Sequence, residues 1–297
     1  MPVTVQSADG NATPVIYEPP QVIAGQPPLR TTCTPASGTI FPLGASTVTC
    51  STTDAVARTD ACTFTVTVAA PPKLSATTFM AFGNSITEGK NAFSMAVSDN
   101  YPANLRAMLV ARYTTQTITV LNKGFGGERT PEGSDRLEIE LDAAHPDVLL
   151  LEEGVNDILG GDPSMVAQVI DGLRDMVRKA KARGVRVFLA TLIPARAGGT
   201  PPRGDGPLLL IPETNSHIRL LAQNEGVTLV DLYEGFGGIP GPYIDVDGLH
   251  PTELGYRKIA EIFFNAIRAT LELPPSPASF GLVSNMPSGT FPFAGAR

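Results

Sequence analysis

Strict alternation of apolar and polar positions governs the first 70 residues. In STVTCSTTD, Val48 and Cys50 fall on one side of an extended chain; in ACTFTVTVAA, Cys62, Phe64, Val66 and Val68 share one face. The polar DAVARTD between these runs reads as a hairpin loop. No helical period of useful length appears before residue 90, so this part is expected to be a small all-β sandwich. AAPPKLSATT follows, with the proline pair of a linker.

Beyond the linker the period changes. Apolar runs suited to buried strands (TFMAFG, TITVLN, DVLLLEEG, VRVFLATLIP, VTLVDLY) alternate with helical stretches (NYPANLRAMLVARY, RLEIELDAA, PSMVAQVIDGLRDMVRKAKARG, TELGYRKIAEIFFNAIRATLE). In the third helix Val166, Val169, Ile170, Leu173 and Val177 form one stripe. Asp162 and Pro163 suit its start, and Gly184 suits its stop. In the last helix Ile259, Ile262, Phe263, Ala266 and Ile267 face inward. Strand–helix alternation of this kind implies a parallel sheet covered on both faces, with chemistry just beyond the carboxyl ends of the strands. The segment 194–213, PARAGGTPPRGDGPLLLIPE, reads as a loop edging that region. The boundaries expected are a β-sandwich over 1–70, a linker over 71–78, an α/β domain over 79–272 and a Pro/Gly-rich tail over 273–297.

Charge narrows the function classes. A net charge of −7 and a pI near 5.0 argue against a nucleic-acid surface. No run approaches the ~18 apolar residues of a membrane span. MPVTVQSADG lacks the basic start and apolar core of a signal peptide. The three cysteines, Cys33, Cys50 and Cys62, all lie in the first quarter, which fits one disulfide plus a free thiol in an exported protein whose signal has been removed. Three buried thiols are the alternative.

Four segments fall where strands end: GNSIT, NKGFGGERT, GVND and DGLH. Ser85 sits in the first, at a strand-to-helix turn that exposes a hydroxyl beside backbone N–H groups. A serine needs a base to act as a nucleophile. Of the histidines, His145 is followed by proline and His217 lies in a helical stretch; only His250 has an acid, Asp247, three residues before it in a loop. Ser85, Asp247 and His250 have the logic of a catalytic triad. Each segment alone has a plainer reading: a turn serine, a helix cap with a solvated histidine, an N-cap pair at Asn156–Asp157. Four at successive strand ends favour chemistry.

FGNSITEG, VLNKGFGGERT, LEEGVNDI and DGLHPTELGY together resemble the four blocks of the SGNH (GDSL-type) hydrolase superfamily, over residues 78–272. The resemblance implies a flavodoxin-like three-layer sandwich around a central parallel sheet. It makes Ser85 the nucleophile and Asp247 and His250 its partners. The oxyanion hole would comprise the N–H of Ser85, the N–H of Gly127 and the side-chain amide of Asn156. It implies no metal and no cofactor. Two departures stand out: Gly83-Asn84-Ser85 replaces the usual Gly-Asp-Ser, and Gly127-Glu128-Arg129 replaces Gly-Asp-Thr. The N-terminal CTPASGTIFPLGASTVTCSTTDAVARTDACTFTVTV resembles a hyalin-repeat (HYR) module, an immunoglobulin-like sandwich of extracellular proteins, over residues 1–70. Which two cysteines pair stays open among three choices. The resulting expectation is a secreted serine esterase of short-chain acyl esters, small or polymer-linked, with the N-terminal module contacting a surface or polysaccharide. The alternatives are a carbohydrate O-acetyl esterase and an adhesion protein with a silent hydrolase domain.

Overall fold

In the computed structural model, which describes residues 2–200 and 205–274, the contacts of the chain fall into two compact units that divide at Lys73–Leu74. Residues 275–297 of the expected tail, and residues 201–204, lie outside the described residues.

In the N-terminal unit the alternating runs become β1 (Val3–Gln6), β2 (Thr13–Pro14), β3 (Arg30–Thr34), β4 (Ile40–Phe41), β5 (Gly44–Thr53) and β6 (Thr59–Ala69). Four of them form a sheet in the order β1-β6-β5-β3, and β2 and β4 pair separately. β5 and β6 are the expected hairpin, antiparallel from Gly44↔Val68 to Thr53↔Thr59. Its loop is built on Asp54, whose carboxylate accepts the N–H groups of Val56, at 3.1 Å, and Arg58, at 2.9 Å. The inward faces meet as predicted: Val48, Cys50, Val66 and Val68 are buried with Val15, Tyr17 and Phe41. Register puts Cys50 directly opposite Cys33 on β3 and Cys62 on β6; the disulfide is Cys33–Cys50, and Cys62 is free.

The second unit, Leu74–Glu272, carries β7 (Thr78–Gly83), α1 (Ser85–Glu88), α2 (Tyr101–Arg112), β8 (Thr119–Gly124), α3 (Thr130–Ala144), β9 (Val148–Glu152), α4 (Ser164–Ala182), β10 (Arg186–Ala190), α5 (Gly206–Glu225), β11 (Thr228–Val230), α6 (Leu232–Gly235) and α7 (Glu253–Leu271). All five strands run parallel in the order β11-β10-β9-β7-β8. This is the flavodoxin-like order, and its switch point lies between β7 and β9. α2 packs with α7, whereas α3, α4 and α5 pack in series. Strands covered on both faces need no alternation: Val148, Leu149, Leu150 and Leu151 of β9 are all 0 % exposed. Each such side chain contributes about 1.5–3 kcal/mol relative to exposure. Helix starts follow local chemistry. Asn100 caps α2 through Ala103 N–H at 3.1 Å, and Thr252 caps α7 through Gly255 N–H at 3.2 Å.

Two expectations need adjustment. The stretch 194–213 is not one loop, because α5 begins at Gly206. Its prolines disguised it: Pro207 lies in the first turn, where no N–H is required, while Pro212 interrupts the pattern one turn later. The segment 74–77, placed in the linker, belongs to the second unit; Leu74 and Ala76 are buried, and Leu74 N–H donates to Gln116 at 2.7 Å. Among the described residues no helix is long and apolar enough to cross a membrane.

Candidate active site

β7 ends at Gly83 because nothing larger fits: a Cβ there would lie 1.8 Å from the Glu152 carbonyl oxygen. The chain then turns at once into α1. Asn84 caps this turn, its Oδ1 accepting Ile86 N–H at 2.9 Å. Ser85 follows as the first residue of α1, only 7 % exposed. β8 closes in from the other side, where a Cβ on Gly124 would lie 1.9 Å from the Glu88 nitrogen.

The partners of Ser85 arrive from the far end of the chain, on the turn before α7. Ser85 Oγ and His250 Nε2 are 2.8 Å apart, and His250 Nδ1 lies 2.6 Å from Asp247 Oδ2. The other carboxylate oxygen, Oδ1, accepts the N–H groups of Leu249 at 3.1 Å and His250 at 3.0 Å. Asp247 and His250 are 2 % and 3 % exposed. Burial alone would raise the Asp247 pKa, but these hydrogen bonds from His250 and Leu249 outweigh it and hold the carboxyl below the usual range. Asp247 therefore stays ionised opposite the imidazole.

Backbone contacts brace this turn. Asp245 N–H donates to His250 O at 2.7 Å, and Arg196 N–H donates to Gly248 O at 2.8 Å. Gly199 passes so close that a Cβ would lie 1.8 Å from the Asp247 carbonyl oxygen. The segment after β10 thus supports the acid–histidine turn, at the position where sequence placed a rim.

Beside Ser85 runs Phe125–Glu128. A Cβ on Gly126 would lie 3.8 Å from the Ser85 Cβ, and Gly127 has φ +82°, a conformation suited to glycine. Among the described residues the Gly127 N–H has no hydrogen-bond partner. The Asn156 side chain donates one amide hydrogen to Glu128 O at 2.8 Å, which leaves its second hydrogen for another acceptor. Asp157 fixes the turn: its carboxylate accepts Thr130 N–H at 3.1 Å and the Thr130 hydroxyl at 2.8 Å, tying it to the start of α3. Glu128, at the position of the second departure, is buried and clamped by Arg136 at 2.5 and 2.6 Å, and that guanidinium lies 4.0 Å from the centre of the Phe82 ring.

Ser85, Gly127, Asn156, Asp247 and His250 thus come from four post-strand or pre-helix turns to one end of the sheet. His145 ends α3 and His217 lies on α5, both exposed. Sequence reading passed over Glu152 and Glu153, both 0 % exposed. The available signal was the pair of acids closing an otherwise apolar strand.

Residues 81–258 match the GDSL-like lipase/acylhydrolase family, and residues 4–68 match the HYR domain. The chain is similar to an acetylxylan esterase of Xylanibacter ruminicola, 28% identical over 222 residues, covering 66% of this chain and 44% of that protein. It is likewise similar to the esterase TesA of Pseudomonas aeruginosa, 26% identical over 197 residues, covering 66% of this chain and 90% of that one. Less than half of the first relative's length is therefore spanned. Among solved structures, a lipase/acylhydrolase from Enterococcus faecalis superposes with a TM-score of 0.57 at 25% identity, covering 66% of this chain and 97% of that one.

Proposed function

We propose that this chain, which belongs to the GDSL-like lipase/acylhydrolase family, hydrolyses short-chain carboxylic esters through a covalent acyl-enzyme on Ser85. The observation that carries the reading is the continuous hydrogen-bonded line from Ser85 Oγ through the His250 ring to Asp247, with spacings of 2.8 and 2.6 Å. Ser85 Oγ attacks the acyl carbon while His250 Nε2 takes its proton. Asp247 holds the ring by Nδ1 and stabilises the imidazolium. The oxyanion is received by the N–H groups of Ser85 and Gly127 and the spare hydrogen of Asn156. His250 then protonates the leaving alcohol. Water, deprotonated by the same ring, releases the acid and restores the serine.

A second reading, O-deacetylation of polysaccharide, is favoured by the similarity to an acetylxylan esterase. It uses the same steps with a sugar hydroxyl as leaving group. Export fits both readings, since a disulfide lies in the HYR domain. In that setting the HYR domain would hold the enzyme at a surface or polymer. The test is a series of p-nitrophenyl esters of increasing chain length beside acetylated xylan. Turnover concentrated on acetyl and butyryl esters supports the first reading. Acetate release from xylan with poor p-nitrophenyl turnover supports the second, and no turnover on any ester overturns both.

A further inference from the structure

The chemistry above makes no use of Glu153, which is 0 % exposed at the end of the central strand. Its Oε1 accepts two hydrogen bonds, from Asn84 Nδ2 at 3.3 Å and from Gly154 N–H at 3.0 Å. Asn84 has already committed its Oδ1 to Ile86 N–H at 2.9 Å, so its amide is engaged at both ends. Asn84 immediately precedes Ser85, and Gly154 precedes Asn156 by two residues. One carboxyl oxygen therefore joins the turn that carries the serine to the turn that carries the oxyanion amide. An acid at position 84 could make the bond to Ile86, but when ionised it could donate nothing to Glu153.

We infer that Glu153 is a positioning residue, and that Asn84 and Glu153 act as a matched donor–acceptor pair holding the Ser85 turn in register with the Asn156 turn. The groups facing the pair are Glu152 from β9, Tyr101 from α2, and Glu128 from the segment after β8, the last neutralised by Arg136 of α3. Burial, with Glu152 and Glu128 nearby, pushes Glu153 well above the ordinary carboxylate range. A neutral Glu153 presents Oε1 to both donors and keeps its proton on Oε2. A glutamine reproduces that arrangement, and a leucine removes it.

The inference rests on the esterase reading, and a Ser85→Ala protein assayed alongside separates the two. The measurement is kcat and KM for p-nitrophenyl acetate from pH 5 to 9, with thermal unfolding of each variant. Glu153→Leu should lower kcat about tenfold or more with KM within about twofold, as a lost positioning bond acts on the transition state. Glu153→Gln should restore kcat to within about threefold of the parent, the behaviour of an isosteric acceptor. Asn84→Asp should lose activity relative to the parent increasingly as pH rises, because two adjacent carboxyls must then surrender a shared proton. Adding Glu153→Gln supplies a donor to the carboxylate introduced at position 84, so the double variant should recover activity and lose that pH dependence. A Glu153→Leu enzyme with parental kcat overturns the inference. If Glu153→Leu fails to fold, the double variant decides: no recovery over Asn84→Asp overturns it equally. Parental turnover by Ser85→Ala would instead remove the esterase reading beneath it.

Discussion

The side chains at the site differ in what they are asked to do, and single substitutions separate them. Asp247 accepts hydrogen bonds from Leu249 N–H, His250 N–H and His250 Nδ1 and is ionised, so in the proposed mechanism its part is to orient and charge-stabilise the ring. Asp247→Asn keeps the shape but presents an amide to Nδ1. We expect kcat to fall by on the order of 10³–10⁴-fold with KM little changed, measured on p-nitrophenyl acetate. In the proposed mechanism Asn156 acts on the developing oxyanion. Asn156→Ala should cost about 10²-fold or more in kcat. Asn156→Asp should cost at least as much, because a carboxylate repels the charge it would face. An aspartate variant as active as the parent would remove Asn156 from the oxyanion site. The relation of Asp247 to His250 was legible in the sequence because it is local: two residues three apart in one turn. The Asn84–Glu153 contact was not, because 69 residues separate its partners.

At the scale of elements, the central strand ends on Glu152, a buried carboxyl with little to compensate it, and Glu153 follows directly. Among the described residues Glu152 Oε2 accepts only the Thr87 hydroxyl, at 3.3 Å, and its Oε1 has no partner. Burial raises its pKa from 4.5 to about 7. A carboxyl with a raised folded pKa costs nothing below its unfolded value. The cost grows as pH climbs from about 4.5 to 7 and is complete above. It amounts to at most about 3 kcal/mol. Glu152→Gln should therefore match the parent's Tm at pH 4 and exceed it increasingly toward pH 7. A constant difference across that range would show that Glu152 does not titrate as described. Strands and most helices were readable from period alone, because burial on both faces or on one stripe leaves its mark on composition. Of α5 only the stretch around His217 was, since Pro212 breaks the pattern of the first turns while Leu210, Ile211, Ile218 and Leu221 anchor the helix to the core. The cysteine pairing was unreadable for a geometric reason: Cys50 lies opposite both others, on adjacent strands. Alkylation before reduction, followed by peptide mass mapping, should label Cys62 alone and recover Cys33 and Cys50 as one linked peptide.

For the whole molecule, every side chain assigned to the chemistry belongs to Leu74–Glu272, and the N-terminal unit has its own core of Val15, Tyr17, Phe41, Val48, Val66 and Val68. Two cores predict two independently folding bodies. A chain beginning at Lys73 should hydrolyse a small soluble ester with kcat/KM close to that of the longer chain. Retention on an insoluble polymer should fall if the HYR domain raises local substrate concentration. A folded truncation that loses most of its kcat/KM would make the N-terminal unit part of the active site. The proposed reaction turns on one oxygen atom, Ser85 Oγ, activated by the His250–Asp247 pair. Its most direct test is labelling with a fluorophosphonate, followed by intact mass and peptide sequencing. The prediction is a single stoichiometric adduct on Ser85, loss of ester hydrolysis in proportion to labelling, and no adduct in His250→Ala over the same time. An adduct on another serine such as Ser94, or full hydrolysis by protein fully labelled at Ser85, would contradict it.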